Sequence, residues 1–517
     1  MGDPLNLPQS LLLPAHSTAV EGRKRAMLFS GWLILVAWLI VRHVFWRDEV
    51  RAFTLSLSGS DVGQMLRNIH GEGHPALWYL ILRAGHDLFP HREVLPVAGG
   101  AIGIAAMALF AFRAPFRLPI TALVLFSLFG AFEYVALTRN YGISALVMFG
   151  LAAVYPRVKD TPWFGLILAI LCNTNVPSCL LAAAFLLFRF VEMLTEWESP
   201  AARDWLVFGA NAILALVGAV LCFLTVYPPL NGGAVSSNFG ATGGTTLLAG
   251  LLDGTKGFSN LVLNVGGALP AILLWVSCLA FIRRPPALIA SLAALTALKL
   301  FFYFVYPSAY RHEALFIVFL LSLHWMSLAP PARVSELKAW VRAAQTAGTI
   351  AFLLLLAVQP LDLVGPLYRQ MSGVPYSRSA DVARILQEPQ LSRAIVMADP
   401  DVMLEPLPYY AANPLWFLRE AHFGPLFLRT RADRQQISLD TILGDASRLH
   451  EKTGRPVVFL SHLQLQDVRP ERHVMMYGDT TVFTPESVRR FRNSMRLVAR
   501  LRPAMSDEAY DVYVYRR

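Results

Sequence analysis

The sequence predicts a polytopic α-helical membrane protein with a C-terminal extracytoplasmic α/β domain, and three observations carry that prediction. Of its 517 residues, 55% are hydrophobic and 15% charged, and the mean hydropathy is +0.48, outside the range of soluble globular chains. Apolar runs long enough to cross about 30 Å of hydrocarbon recur from Met27 to about Gly365. Beyond Leu367 the runs shorten and alternate with helical stretches, the pattern of an α/β domain over 366–517.

Residues 1–26 form a cytoplasmic leader that ends in Arg23-Lys24-Arg25. The first span, 27–45, follows a basic cluster as a signal peptide does, but it is long and runs into Val44-Phe45-Trp46 without a small-residue cleavage site. It therefore reads as an uncleaved anchor. Further spans are expected at 95–112, 118–137, 141–155, 163–177, 178–193, 205–227, 261–282, 287–305, 312–329 and 343–365, about eleven in all. With the N-terminus cytoplasmic, the basic loops Arg113/Arg117, Arg157/Lys159, Arg203, Arg283/Arg284 and Arg333/Lys338/Arg342 all fall inside, as the positive-inside rule requires. The net charge of +10 thus marks orientation, and nucleic acid is not an expected partner. Cys172, Cys179, Cys222 and Cys278 lie in apolar segments, which leaves neither a disulfide framework nor a cysteine zinc site.

The region 27–365 is the expected transmembrane catalytic domain. Its first outer loop, 46–93, reads as interfacial helices. Asp61 has capping-box spacing to Gln64, and Val62, Met65, Leu66 and Ile69 follow at helical intervals. The segment His74–Pro90 is short for a span and carries Arg83, His86 and Asp87. A second outer loop, 228–260, is rich in Gly, Ser and Thr and reads either as a lid over substrate or as a mobile connection. In the C-terminal domain, strands or helices are expected at 393–398, 402–410, 439–452, 456–461, 496–502 and 509–515. Asp399-Pro400-Asp401 imitates a metal-binding Asp-x-Asp but is read as a helix N-cap. His462 is read as a strand-end residue.

Candidate chemistry lies on the outer side. Trp46-Arg47-Asp48-Glu49 puts adjacent carboxylates where the first span surfaces, and Gly73-His74-Pro75 follows. Thr138-Arg139-Asn140-Tyr141 stands at an outer turn, and Tyr310-Arg311-His312-Glu313 opens a late span. The order and common sidedness of these motifs resemble the GT-C membrane glycosyltransferases that use polyprenyl-phosphate sugars, among them protein O-mannosyltransferases and the aminoarabinose transferases that modify lipid A. The resemblance covers 27–365 and thins in the C-terminal domain. Where many relatives have a second proline, this chain has His74-Pro75-Ala76, and it has no clear donor-sugar signature. The resemblance implies a catalytic acid at the first position of the pair, Asp48, and an inverting reaction.

Transfer from a lipid phosphate needs a base on the acceptor hydroxyl and cations on the departing phosphate. Asp48 is the expected base with Glu49 in support; the alternative is a solvated interfacial acidic pair near Arg47 and Arg51. Arg139, Tyr141, Arg311, His312, His74 and Lys299 are the expected binders of lipid phosphate and sugar, and interface anchoring is the alternative for the cations. Glu133 and Lys299 lie deeper in apolar segments, where charges are costly. Asn173 and Asn175 suit a turn better than a sugar contact. No cofactor is required by this chemistry, and a divalent metal is compatible with it. Expected partners are the polyprenyl-phosphate sugar, a glycan, lipid or protein acceptor, and membrane lipid. The setting is a multi-pass membrane, as in a bacterial inner membrane. A carrier or flippase for lipid-linked sugars would share the spans and arginines without needing an outward base, and a non-catalytic envelope-assembly protein would tolerate loss of Asp48.

Overall fold

The structure, a computed structural model, describes residues 12, 19–195, 200–227, 257–263, 268–327, 338–428, 433–465, 472–474 and 479–516. The expected lid, 228–260, and the leader, 1–26, lie largely outside the described residues. In chain order the helices are α1 (Ala19–Arg42), α2 (Arg47–Ser56), α3 (Val62–Asn68), α4 (Leu77–Leu88), α5 (Val94–Arg113), α6 (Leu118–Leu125), α7 (Tyr141–Val158), α8 (Trp163–Cys172), α9 (Val176–Thr195), α10 (Ala202–Val226), α11 (Ala268–Cys278), α12 (Pro285–Phe304), α13 (Tyr310–Met326) and α14 (Ala339–Met371). Each expected span thus contains a helix among the described residues. Seven of these helices, α1, α5, α7, α9, α10, α12 and α14, are long and apolar enough to cross a membrane.

The other expected spans are shorter as built. The segment 118–137 breaks after α6 into a π turn, Phe129–Glu133, where Gly130 passes so close to the Val124 carbonyl that a Cβ would overlap it. The 10-residue α8, the 11-residue α11 and the 17-residue α13 are also short. The exposed side chains of α10 include Leu206, Ile213, Leu216, Val220, Phe223 and Leu224. An outward face of this kind is the reverse of a soluble helix and fits a lipid surround. The chain is an integral membrane protein.

Two compact units divide the chain. One runs to Val41, resumes over His70–Tyr227 and continues through Gly365; the other holds Arg42–Ile69 together with the chain from Pro366 onward. This division differs from the expected one: α2 and α3, the start of the first outer loop, group with the C-terminal domain. In the helical unit α13 is the centre, with every residue from Tyr310 to Leu323 except Arg311 buried. Glycines set the approach of α5 and α7. The Tyr134 carbonyl lies between Gly103 and Gly142, and a Cβ on Gly142 would stand 2.6 Å from that oxygen.

The second unit is α/β, as the sequence predicts. It adds α15 (Ser379–Leu386), β1 (Ile395–Asp399), β2 (Leu415–Phe417), β3 (His422–Phe423), β4 (Gln436–Ser438), α16 (Leu439–Thr453), β5 (Val457–Ser461), β6 (Arg472–Val474), β7 (Thr480–Val482), α17 (Pro485–Ser494), β8 (Met495–Leu501) and β9 (Tyr510–Tyr515). The main sheet has the order β3-β2-β1-β5-β9-β8. In it, β1 pairs in parallel with β2 and β5, while β9 is antiparallel to β5 and β8. Both β1 and β5 are buried throughout, as central parallel strands are. One face, with Ile395, Met397 and Phe459, packs on α16 and α17 residues such as Ile442 and Phe491. The other, with Val396, Ala398 and Leu460, packs on Val382 and Leu386 of α15. Ser438 caps α16, accepting from the Thr441 N–H at 3.2 Å, and Gly454 ends it at φ 66°. The segment expected as regular over 402–410 forms two 3-10 turns instead.

Candidate functional site

Five of the expected binding residues gather in the helical unit, although the sequence separates them widely. The N-terminal ends of α7 and α13 lie together: the Tyr134 hydroxyl donates to the Arg311 carbonyl at 2.8 Å, and the Tyr141 and His312 rings meet edge-on at 5.3 Å. Arg139, one residue before the Asn140 cap of α7, holds its guanidinium 5.9 Å from the Tyr141 ring. Its Nη2 donates to His74 Nε2 at 3.1 Å, bringing in the first outer loop. Arginine has no acceptor, so His74 Nε2 accepts in this bond. Arg139 and Arg311 are the two cations beside the Tyr141 hydroxyl.

His312 is oriented by its own helix start. Its Nδ1 accepts the Ala309 N–H at 2.8 Å, which puts the proton of the neutral ring on Nε2. Phe302 and Tyr306 complete the wall around it, at 6.3 and 5.4 Å between ring centroids. Arg311 in the first turn of α13 and Arg139 just before the cap of α7 add positive charge to the positive ends of the two dipoles. Lys299 is buried on α12, one turn before Phe302.

Sequence reasoning missed what holds this wall. Glu313 is fully buried and accepts from Asn260 N–H and Nδ2, both at 2.9 Å, and from Ser308 Oγ at 2.6 Å. Gln359 on α14 accepts from the Tyr310 hydroxyl at 2.5 Å and donates to the Leu261 carbonyl at 3.0 Å. These bonds tie segment 257–263 to the start of α13. Glu313 was visible as the fourth residue of its motif; nothing in the sequence marks Gln359. Asn173 and Asn175 take turn roles, the latter accepting the Ser178 N–H at 2.9 Å.

Asp48 and Glu49 stand in the other unit, in the first turn of α2. Their environments differ sharply. Glu49 is fully buried, with both carboxylate oxygens on His43 Nε2 at 3.0 and 2.8 Å and one accepting the Trp46 N–H at 3.1 Å. It caps and seats its helix, which excludes a solvated pair. The Asp48 side chain is 27% exposed and lies 3.9 Å from Arg47 Nε.

Asp399-Pro400-Asp401 is not a helix cap. Asp399 accepts from Arg419 Nη2 at 2.8 Å and from Thr481 Oγ1 at 2.6 Å, while Asp401 accepts the Leu418 and Arg419 N–H groups at 2.8 Å each. The next turn is capped by Pro400 instead. The pair pins β1 to the chain after β2, a use of two buried carboxylates that local sequence does not reveal. His462 follows β5 as expected; burial lowers it against the upward pull of Asp507. Among the described residues no group of three or more His, Cys, Asp or Glu is arranged to hold a metal ion.

The fold and the paired features define a class: a polytopic membrane protein with a basic, aromatic-walled cluster at two helix N-termini and an α/β domain that carries an accessible carboxylate. No family model and no curated protein sequence matches the chain. Among solved structures the chain is similar to the crystal structure of ArnT from Cupriavidus metallidurans in the apo state, at 15% identity and a TM-score of 0.48, over 96% of this chain and 98% of that one. At this score and identity the likeness carries no argument about the reaction.

Proposed function

We propose that the protein is a membrane glycosyltransferase that moves a sugar from a polyprenyl-phosphate carrier to an acceptor at the extracytoplasmic face. The observation that supports it most is the gathering of His74, Arg139, Tyr141, Arg311 and His312 into one cluster. Two arginines at helix N-termini suit a phosphate, and the aromatic rings suit the face of a sugar. In this reading Asp48 takes the proton from the acceptor hydroxyl as the acceptor oxygen bonds to the anomeric carbon. The bond from that carbon to the phosphate oxygen breaks, and the polyprenyl phosphate leaves with the electron pair, stabilised by Arg139 and Arg311. Attack opposite the phosphate inverts the anomeric centre. The α/β domain is then extracytoplasmic, and about eleven segments cross the membrane.

The test is sugar transfer by purified protein in lipid with a panel of polyprenyl-phosphate sugars. Asp48→Asn is expected to lose roughly 10²–10⁴-fold in rate, the usual worth of a general base. Full activity in that variant removes Asp48 from the role. Movement of lipid between leaflets without transfer identifies a carrier instead.

A further inference from the structure

Asp48 sits on a short helix whose footing comes from the far end of the chain. A helix start leaves its first N–H groups without helical partners. At α2 the Arg47 N–H donates to Glu508 Oε1 at 2.8 Å, across 461 positions of sequence. The Arg47 guanidinium grips Asp507 with two parallel bonds, Nη1 to Oδ1 at 2.6 Å and Nη2 to Oδ2 at 2.9 Å. Before the helix, the Phe45 N–H donates to the Tyr410 hydroxyl at 2.7 Å, and its carbonyl accepts from Ser379 Oγ at 3.1 Å. One turn on, Arg51 pairs with Glu405 and donates to the Phe427 carbonyl at 2.7 Å.

We infer that Asp507 and Glu508 are positioning residues for Asp48, so that the α/β domain houses the base instead of serving as a separate acceptor-binding module. The inference rests on the reading of Asp48 as base. A bidentate arginine–carboxylate pair fixes orientation as well as distance, and here it fixes the residue adjacent to the base. Its charges are also apportioned. One guanidinium faces Asp48, Asp507 and Glu508. Burial pushes the Glu508 carboxyl up to about 8 against the pull of Arg47, so at neutral pH it is protonated and leaves Arg47 to the other two. Burial alone would lower Arg47, yet the bond to Asp507 and the charges of Asp48 and Asp507 raise it, and it stays a cation. The Ser377 hydroxyl and the phenols of Tyr510 and Tyr410 also face Glu508; His462 and, through it, Arg502 flank Asp507. Ionisation of Glu508 adds a third anion to Arg47 and loosens the grip on Asp507.

The experiment measures kcat, donor KM and the pH profile of transfer for wild type, Asp48→Asn, Glu508→Ala, Glu508→Gln and Asp507→Asn. Glu508→Ala is expected to lower kcat roughly 10–100-fold, as a small misplacement of a catalytic group does, with donor KM unchanged. Glu508→Gln, isosteric with the protonated acid, is expected to rescue that loss and to hold transfer above pH 8, where wild type declines. Should the alanine variant not accumulate folded, Asp507→Asn, at a side chain that is 37% exposed, is expected to lower kcat in the same way. Wild-type kcat in both Glu508→Ala and Asp507→Asn, or a Glu508→Gln profile superimposable on wild type, overturns the inference while an inactive Asp48→Asn leaves the base standing. An active Asp48→Asn overturns both.

Discussion

Arg139 and Arg311 serve the cluster through different attachments, and that difference predicts different responses to substitution. Arg139 already spends one N–H on His74 at 3.1 Å, so its remaining donors are held in a fixed plane. Arg311 stands in the first turn of the buried α13, where its charge adds to the dipole. Lysine keeps the charge at either place but loses the fork. For Arg311→Lys we expect kcat/KM for the lipid donor to fall roughly 10²-fold, the scale of one oriented donor on developing charge, with much of the loss in KM. A Michaelis analysis in lipid nanodiscs decides it, and an unchanged KM removes Arg311 from phosphate binding. Both arginines were legible in the sequence because each stands beside an aromatic or histidine at the outer end of an apolar run. Glu49 was only half legible: its place beside Asp48 was visible, but its burial against His43 was not. The partner lies upstream, just beyond the first span, where an isolated sequence shows only a histidine among apolar residues.

At the scale of elements, hydropathy led to a helix in each expected span among the described residues, and the expected segment 439–452 falls on α16. Strands β2, β3, β4, β6 and β7 were not legible, because two or three residues are too few for an alternation to register. The break in 118–137 was also missed, since it depends on the approach of the Val124 carbonyl to Gly130 and not on a polar interruption. Glycine carries a further consequence at α7. A Cβ on Gly142 would stand 2.6 Å from the Tyr134 carbonyl, the residue whose hydroxyl bonds the start of α13. Gly142→Ala should therefore cost about 1–3 kcal/mol of stability through overpacking. It should also depress transfer without touching substrate. Thermal unfolding in detergent, read beside transfer, checks this; a variant with wild-type Tm shows that the helices can part at no cost.

For the whole molecule, pH acts through the buried acid at the foot of α2. Glu508 has a folded value near 8, above its ordinary value near 4.3 in an unfolded chain. The folded state therefore binds this proton more tightly, and the stability it contributes is present below about pH 4.3 and lost as pH rises through 8. Above pH 7 His462, lowered by burial, is neutral in both states and drops out. Between pH 7 and 9 the α/β unit should lose on the order of 1–2 kcal/mol, seen as a falling Tm, and Glu508→Gln should flatten the fall. A Tm that rises over that interval reverses the assigned sign.

The grouping of α2 with strands that begin beyond Pro366 gives the domain a broken lineage along the chain. A fragment cut at Pro366 would carry Asp507 and Glu508 with no Arg47 to receive them, and would bury an acid without its cation. During synthesis the segment bearing Asp48 leaves the ribosome well before the turn that precedes β9, since 461 positions separate Arg47 from Glu508. The carboxylate that we assign to catalysis is thus exposed early and seated late, so a truncated or half-made chain holds its base without a foundation. Emergence of the Asp507-Glu508 turn then becomes the step that arms the site.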